Sequence, residues 1–390
     1  MRTCSVLEIA LLVGAMGSPV AAVEILVRPD GTGDYRHIAA AAGQALDGDV
    51  IVLTDGVFSG YGNRQASLLN KSVTLRSQSG NPADCIIEVE NNGYWFLGGS
   101  VAEGITFRGG RIGLRLEENA SVRNCVFEES TFGSIYAREN TGTIEDTIVR
   151  NGGMHAILCE EGNMLITGCT VESNSNPTTN YQAPVGVNGG VATIENCRIV
   201  GNRGSKLAGG VSATNWSNVT LRGCTITGNT SPLHAGGVWS GTHSTMTIEN
   251  CTIANNRGPV TGGVYGEYGV LTVERSIVWT DCEWPVWVGT SGTITFDCGV
   301  LAPPPISART GGNEPWPGTL ILGPDVLRQP PGFCGAADCA AAPTPEGDYT
   351  LQEDSPVFDL TCGAVGALPV GCTVISVEAT SWARLKSMHR

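Results

Sequence analysis

The chain has 390 residues, of which 53 are glycine and only 15% are charged, with a net charge of −14 and a pI of about 4.8. This acidity argues against a nucleic acid as partner, and it disfavours polyanionic glycans unless a cation bridges them. Length alone would suggest two or three domains, but a repeated pattern in the sequence replaces that expectation with one stacked array.

The first 22 residues have the pattern of a secretory signal peptide. Arg2 supplies the basic start, Ile9 to Met16 the apolar core, and Val20 to Ala22 a small-residue cleavage site. The alternative is a buried first strand. No later segment has 18 uninterrupted apolar residues, so the sequence predicts no transmembrane helix. We therefore expect a secreted or cell-surface protein in an oxidising compartment.

The segment that follows predicts a strand, a turn, a helix and a second strand. Residues 25–27 are apolar, residues 30–34 read Asp-Gly-Thr-Gly-Asp, and Tyr35 to Leu46 is rich in alanine with one apolar face. A second apolar run, Val50 to Leu53, follows directly. A stacked array needs a cover over its first coil, and this helix is the candidate.

A cassette then repeats along the chain: an apolar run with a small central residue, Asn, a loose turn, and Gly-Gly-Val. Cys197, Cys224 and Cys251 lie 27 residues apart, and Ser276 follows 25 residues later. Within Leu221 to Ile226 every second residue is apolar or small, which is the period of a strand with one buried face. No amphipathic helix fits inside one repeat. The pattern therefore predicts a parallel β-helix.

These motifs resemble known β-helix families. Residues 24–60 resemble the opening of the pectin-lyase-like superfamily, and the coil pattern extends that resemblance to about residue 300. The Gly-Gly-Val and Cys-x-Ile-x-x-Asn coils also resemble the right-handed β-helix repeats of bacterial surface proteins, including polymorphic outer-membrane proteins. The resemblance implies an all-β, right-handed parallel β-helix over residues 23–300 with an N-terminal capping helix. It implies no single function, because this fold carries lyases, hydrolases, esterases, adhesins and spacers.

After residue 300 the periodicity stops, and the composition changes. Residues 301–372, rich in Pro, Gly and Cys, are predicted to form a C-terminal cap held by disulfides. Neighbours in sequence suggest the pairs Cys362–Cys372, Cys334–Cys339 and Cys282–Cys298. Residues 373–390 form a short basic tail, which is a weak helix, a sorting or anchoring signal, or a frayed end.

Two columns of polar residues are predicted inside the coils. The first column consists of cysteines, and Thr147 and Ser276 occupy the equivalent position in two coils, so this position requires a small side chain. Stacked Cβ atoms lie about 4.8 Å apart and a disulfide needs about 3.8 Å, so we expect free buried thiols at Cys125, Cys169, Cys197, Cys224 and Cys251. The second column is expected to occupy left-handed corners and to hydrogen-bond along the axis through Asn174, Asn202, Asn229 and Asn256.

Alignment of the strand that follows each loop gives a column of outward residues. In chain order these are Arg115, Tyr136, Leu158, Ser212, Trp239, Tyr265 and Trp287. Trp239, Tyr265 and Trp287 would form an exposed strip that stacks on sugar rings, with Tyr136 and Glu267 beside it as further ligand-binding residues. The alternative is that a loop or the cap covers this strip and makes the aromatic residues a secondary core.

The resemblance implies that a lyase on this fold would use an Arg or Lys base beside a calcium site, and that a hydrolase would use clustered Asp. No lyase, hydrolase or esterase motif occurs, and the remaining catalytic candidates are His155, Glu160 and Arg138. We expect no metal or other cofactor, with calcium only if the protein is a lyase. The predicted function is non-catalytic binding of a polysaccharide or another surface ligand. A polysaccharide lyase or hydrolase, and a structural spacer or adhesin, are the alternatives.

Overall fold

A computed structural model describes residues 21–90, 93–175, 183–303 and 318–373. Most of the predicted signal peptide and of the predicted basic tail lies outside these ranges. The first elements are β1 (Glu24–Val27), α1 (Ile38–Gln44), β2 (Val50–Leu53), β3 (Gly56–Phe58), β4 (Ser67–Leu68), β5 (Thr74–Ser77), β6 (Cys85–Glu88), β7 (Trp95–Gly98), β8 (Val101–Glu103), β9 (Thr106–Arg108), β10 (Ile112–Glu117), β11 (Ser121–Arg123) and β12 (Val126–Glu128).

The middle of the chain continues with strands alone. They are β13 (Gly133–Arg138), β14 (Thr143–Glu145), β15 (Ile148–Arg150), β16 (His155–Glu160), β17 (Asn163–Thr167), β18 (Thr170–Glu172), β19 (Val185–Asn188), β20 (Val191–Glu195), β21 (Arg198–Val200), β22 (Val211–Thr214), β23 (Asn218–Arg222), β24 (Thr225–Thr227), β25 (Val238–Gly241), β26 (Thr245–Glu249), β27 (Thr252–Ala254), β28 (Val264–Glu267), β29 (Val270–Trp279), β30 (Val286–Val288) and β31 (Thr293–Leu301). The last elements are β32 (Thr319–Leu322), β33 (Val326–Leu327), β34 (Phe333–Gly335), a 3-10 helix (Cys339–Ala341), β35 (Asp348–Gln352), a second 3-10 helix (Pro356–Asp359) and β36 (Val370–Cys372).

The strands form a parallel β-helix with three faces. Face 1 contains ten strands, in the order β4-β7-β10-β13-β16-β19-β22-β25-β28-β30. Face 2 runs from β1 through β2, β5 and every third strand to β26, then β29, β31 and β32, and face 3 runs from β3 through β6 to β27, then β29, β31 and β33. Every described pair within these faces is parallel and joins one coil to the next, as the 25- to 27-residue spacing of the repeat predicts.

The N-terminal capping helix is present and is shorter than predicted. The side chain of His37 caps its first turn by accepting a hydrogen bond from the Ala40 N–H at 3.1 Å. Asn63 Oδ1 accepts from the Ile38 N–H at 2.9 Å, so a loop from the following coil completes the cap. The apolar side of α1, which includes Ala41, packs on the main core. No helix in the described ranges is long and apolar enough to cross a membrane.

The predicted cysteine column is buried and its thiols are unpaired, as expected. The column also has a hydrogen-bonding role that the sequence did not indicate. The Cys251 N–H donates to Ser276 Oγ at 3.0 Å, and the Cys224 N–H reaches Cys251 Sγ at 3.4 Å. Each side chain therefore satisfies a corner N–H of the preceding coil, which explains why Thr and Ser can stand in for Cys.

The asparagine column forms a buried ladder. Asn202 Nδ2 donates to Asn229 Oδ1 at 3.0 Å, and Asn229 Nδ2 donates to Asn256 Oδ1 at 2.9 Å. These asparagines are not the left-handed residues that the sequence predicted. The residue before each of them has positive φ instead, as in Gly201 (60°) and Gly228 (60°). Asn at these positions therefore forms the hydrogen bonds of the ladder, and the preceding residue adopts the left-handed conformation of the corner.

The C-terminal cap is held by three disulfides, and the predicted pairings within it are wrong. The bonds join Cys282 to Cys339, Cys298 to Cys362, and Cys334 to Cys372, with Cα atoms 6.0, 6.4 and 6.0 Å apart. Proximity in sequence does not determine the partners, because the pairing depends on how the cap folds back onto the coils. In the fold, two of the three bonds link the cap to the loop before β30 and to β31, 57 and 64 residues away.

The cap packs on the outside of face 3. Its residues Tyr349, Leu351 and Val357 form a second buried cluster with residues of β27, β29 and β31, among them Trp279. The parallel ladder continues past the predicted boundary at residue 300, because β32 and β33 both pair with β31. The described part of the cap thus packs on face 3.

A strap from the cap runs back along earlier coils. The Thr344 N–H donates to the Gly228 carbonyl at 2.9 Å, and Arg198 donates to the Pro345 carbonyl at 2.9 Å. A Cβ added at Gly228 would lie 2.1 Å from the Thr344 carbonyl oxygen, and one at Gly201 would lie 2.5 Å from the Pro345 nitrogen. Glycine at these two corners therefore allows close approach of the strap as well as the left-handed turn.

We expect Asn229→Ala to lower the free energy of unfolding by about 2–4 kcal/mol, because it leaves the Asn202 N–H without its acceptor and removes two ladder bonds. Urea denaturation of the oxidised full chain measures this loss. The matched control is Asn218→Ala, since Asn218 is exposed at the start of β23, and its effect should stay within about 0.5 kcal/mol. Equal effects of the two substitutions would contradict the ladder's contribution.

Candidate ligand-binding groove

The outward columns of face 1 have the register that the sequence predicted. Tyr136 pairs with Leu158, Ser212 with Trp239, and Trp239 with Tyr265 on successive strands. One coil that the sequence alignment omitted adds Gly186 between Leu158 and Ser212. Two residues further along each strand lies a second outward column, formed by Glu117, Arg138, Glu160, Asn188, Thr214, Gly241, Glu267 and Gly289.

A groove of about 790 Å³ follows this second column along face 1. Its lining extends from β10 to β28, which is six steps of about 4.8 Å, or about 29 Å along the axis. Leu207 and His234, from the loops that enter face 1, form one wall. Asn215, Thr242 and Tyr268, from the turns that leave face 1, form the other. The size is within the usual range of ligand sites in proteins.

Trp239 and Tyr265 do not form the exposed strip that the sequence predicts. They are 4% and 5% exposed, because loop residues such as Leu207 and Ala235 pack over them in a small third cluster. The covered alternative therefore holds for these two rings. Trp287 is half-buried against Trp284, with ring centroids 6.3 Å apart, and does not line the groove.

Trp239 nevertheless forms part of the groove floor. A Cβ added at Gly241 would lie 2.2 Å from two atoms of the Trp239 indole, so this ring lies flat over the glycine in the second column. Tyr265, on the next coil, also lies over a glycine of the second column, since a Cβ at Gly289 would lie 2.8 Å from the Tyr265 hydroxyl. Glycine in the second column therefore lets these rings lie along the sheet instead of projecting from it.

Polar side chains of the second column form a hydrogen-bonded chain along the floor. Glu160 accepts from the Tyr136 hydroxyl and from Asn188 Nδ2 at 3.2 Å. Asn188 Oδ1 in turn accepts from the Thr214 hydroxyl at 3.1 Å and from Asn215 Nδ2 at 2.6 Å. Burial, followed by the Glu160 carboxylate, raises the pKa of Tyr136 to about 12, so this phenol remains a donor at neutral pH.

His155 reaches the groove through a β-bulge at the start of β16. The N–H groups of Ala156 and Ile157 both donate to the Pro184 carbonyl, at 2.9 Å each, which is the two-against-one pattern of a bulge. The bulge explains why His155, three residues before Leu158, lines the same groove as Leu158. Burial lowers the pKa of His155 to about 4, against smaller opposing effects from the Ala183 backbone and Glu160.

Within the described lining of the groove, three polar side-chain atoms are closed to solvent and have no hydrogen-bond partner. They are Nδ1 of His155, Nδ1 of His234 and Nε1 of Trp239. A neutral imidazole Nδ1 whose ring uses its other nitrogen as donor is an acceptor, whereas the indole N–H can only donate. Buried polar groups are normally paired, because leaving one unpaired costs about 1–3 kcal/mol. The described lining therefore contains an acceptor, His155 Nδ1, and a donor, the Trp239 indole N–H, that no protein atom pairs.

A row of aromatic residues that the sequence analysis missed lies on the rim. The turn ridge, as we name Trp216, His243 and Tyr268, occupies the turns after β22, β25 and β28. Trp216 is 74% exposed and stacks on His243 with ring centroids 4.6 Å apart, and Tyr268 is 45% exposed and lines the groove. Alignment of the turns as well as the strands would have found this row, since each ring precedes a face 2 strand by two residues.

The three catalytic candidates do not converge. His155 and Glu160 line the groove, but Arg138, although next to Glu160 in register, forms an ion pair with Glu139 at 3.5 Å and belongs to a separate charged hollow. The carboxylates of the described groove lining are Glu160 and Glu267, four coils or about 19 Å apart. Glycosidase carboxylate pairs lie about 5–9.5 Å apart, so these two cannot act as such a pair.

Metal-ligating groups do not gather in the groove. Within the described ranges, the one group of three such side chains in close reach is Cys282, Asp338 and Cys339, at the cap. Cys282 and Cys339 form a disulfide, so their sulfurs are not thiolate ligands. Nothing in this donor set suits a catalytic cation beside the groove.

Comparison with known proteins agrees with the fold. Residues 172–300 match the family model described as right handed beta helix region, which confirms the predicted right-handed parallel β-helix. No curated protein matches the chain. Similar solved structures include pectate lyase Pel9A, with 12% identity over 90% of this chain and 98% of that chain at a TM-score of 0.48. Pectin methylesterase from carrot follows with 14% identity, 80% and 91% coverage and a TM-score of 0.37. A rhamnogalacturonan lyase has 10% identity, 94% and 98% coverage and a TM-score of 0.28.

We expect the buried His155 to make the protein less stable in acid. Because its pKa in the fold, about 4, is below the ordinary 6.5, the unfolded chain binds the proton more tightly. Stability should fall as the pH drops from 6.5 towards 4, by up to about 3 kcal/mol from this group. In the His155→Gln variant this part of the slope should disappear.

Urea denaturation of wild type and His155→Gln across this pH range measures the difference. Above pH 6.5 the two stability curves should run parallel, because His155 is neutral in both states there. Identical slopes between pH 4 and 6.5 would show that His155 is not held neutral by burial.

Proposed function

We propose that this protein binds a neutral polysaccharide along the groove of face 1 and does not cleave it. The groove is long and open, as an extended polymer requires, and its rim carries exposed aromatic rings. Sugar rings combine weakly polar faces, which stack on aromatic side chains, with hydroxyl groups around their edges. The turn ridge fits the faces, and the polar floor fits the edges.

The observation that carries the proposal is the row of exposed rings in the turn ridge beside the hydrogen-bonded polar floor of the groove. A ligand for this surface must stack on aromatic rings and also exchange hydrogen bonds with polar side chains. A hydroxyl group can both donate and accept, since it has one donor and two acceptor sites. A chain of sugar hydroxyls along the floor would therefore pair with Tyr136, Glu160 and Asn188 without introducing a charge.

Charge favours a neutral polymer over an acidic one. Glu160 and Glu267 line the groove, and the described lining contains no lysine or arginine. An anionic glycan would place its carboxylates beside these two, while the neighbouring cation in register, Arg138, is already paired with Glu139. The protein's net charge of −14 adds to the repulsion.

The same geometry supports the absence of cleavage. The two groove carboxylates are too far apart for paired acid–base work, and Tyr136 holds its proton at neutral pH because its pKa is about 12. A location outside the cytoplasm is supported by the three disulfides of the cap, which persist in oxidising surroundings. We propose that the protein acts on the cell surface or in the extracellular space.

The test is affinity electrophoresis and calorimetry against soluble neutral polysaccharides, namely galactan, arabinan, xylan and glucomannan. We expect binding to at least one of them, and the Trp216→Ala/Tyr268→Ala variant should bind at least about tenfold more weakly, since each stacked ring contributes about 1 kcal/mol. Trp216 and Tyr268 are exposed, so their removal should leave the fold intact.

The control is Phe358→Ala, which removes an exposed aromatic residue of the cap and should leave the affinity unchanged. Polygalacturonate and alginate should bind more weakly than the neutral polymers. New reducing ends, or the absorbance of unsaturated uronates, would contradict the non-catalytic role. A wild-type protein that binds none of the neutral polymers would leave the structural spacer as the better interpretation.

A further inference from the structure

Besides the groove, face 1 has an aromatic cleft at the N-terminal end of the β-helix. It has a volume of about 450 Å³ and lies between α1, the loop before β4, and the strand β7. Tyr61, Tyr94 and Phe96 supply its aromatic surface, and Gln65 and Ser67 supply polar atoms. None of the described residues that line it is an aspartate, glutamate, lysine or arginine. The cleft is therefore suited to an uncharged ligand.

Tyr61 is presented to solvent by a firmly held loop. Its side chain is 84% exposed, although the residues beside it are tied to the helix cap. The Gly62 carbonyl accepts from the Ala39 N–H at 2.9 Å, and Asn63 accepts from the Ile38 N–H at 2.9 Å. A Cβ at Gly62 would lie 2.2 Å from the His37 ring, so only glycine allows this approach. The exposed ring is thus positioned before any ligand arrives.

The cleft and the groove are joined by a continuous stack in the first outward column. The Arg115 guanidinium lies over the Phe96 ring at 5.5 Å on one side and over the Tyr136 ring at 5.4 Å on the other. Phe96 lines the cleft and Tyr136 lines the groove. These two rings are two coils apart, or about 10 Å. The charge of Arg115 is neutralised by Glu117, whose carboxylate lies 2.7 Å from its Nε.

We propose that the cleft is a second subsite for the same ligand, so that one linear neutral polysaccharide runs from the groove over Arg115 to Tyr94 and Tyr61. This inference rests on the proposed function and adds the length of chain that is recognised. From Phe96 to Glu267 the track covers eight coils, which are seven steps of about 4.8 Å, or about 34 Å. Two linked subsites bind a polymer more tightly than either alone, by effective concentration and without new contacts.

The experiment compares polymer and short oligosaccharides on three proteins: wild type, Tyr61→Ala/Tyr94→Ala, and Phe358→Ala as the control. The probes are the neutral polysaccharide that binds in the affinity screen and its own di- to octasaccharides, measured by calorimetry. We expect the cleft variant to bind the polymer about 10- to 100-fold more weakly. Its affinity for a trisaccharide, which is too short to span both subsites, should equal that of wild type.

The length series gives an independent result. Wild-type affinity should keep rising until the oligosaccharide covers both subsites, whereas the affinity of the cleft variant should stop rising at a shorter length. If the cleft variant binds polymer and oligosaccharides as wild type does while Trp216→Ala/Tyr268→Ala loses binding, the second subsite is wrong and the groove function stands. If wild type binds no neutral polymer, the groove function fails and this inference fails with it.

Discussion

Parallel stacking of coils about 4.8 Å apart is the constraint on which the rest of this structure depends. Each side chain meets its equivalent in the coils above and below, so a residue type that works at one position works along a whole column. Polar groups at the corners must be satisfied in the same way. The thiol and hydroxyl column and the asparagine ladder do this by accepting and donating along the axis. The ladder leaves the variable part of each coil, its loops, free to differ.

The groove arises where those variable loops press on a regular face. Small residues at Gly186 and Ser212 leave space in the first outward column, and the Ala183 N–H donates to the Ser212 hydroxyl at 3.1 Å. The covering loops bury the rings of this column but stop at the second column, which remains open between Leu207 on one side and the turns on the other. A regular face and irregular loops thus make a long, one-sided channel.

Strand parity could be predicted from the sequence, and contacts between distant segments could not. The inward cysteines and the outward residues from Arg115 to Trp287 follow from period-two alternation, which is local. Burial of Trp239 depends on Leu207 and Ala235, which carry no periodic signal. The disulfide partners depend on how the cap folds back onto face 3, and a spacing of 57 or 64 residues gives no hint of it. Within the groove, Tyr136, Glu160 and Glu267 are predictable from the sequence because they lie on strands.

Backbone geometry at the rim does not account for the aromatic residues there. The turn that leaves face 1 contains a left-handed residue in coil after coil, and in earlier coils glutamate fills it at Glu118, Glu139 and Glu161. Backbone geometry at this turn therefore does not require a ring. In later coils the turns carry Trp216, His243 and Tyr268, also with positive φ, and all three residues are exposed, Trp216 to 74%. A ring that stays exposed removes little apolar surface from water on folding, so it contributes little to the free energy of folding. Stacking against a sugar would bury this surface, and the row stands beside the groove where the unpaired polar atoms lie.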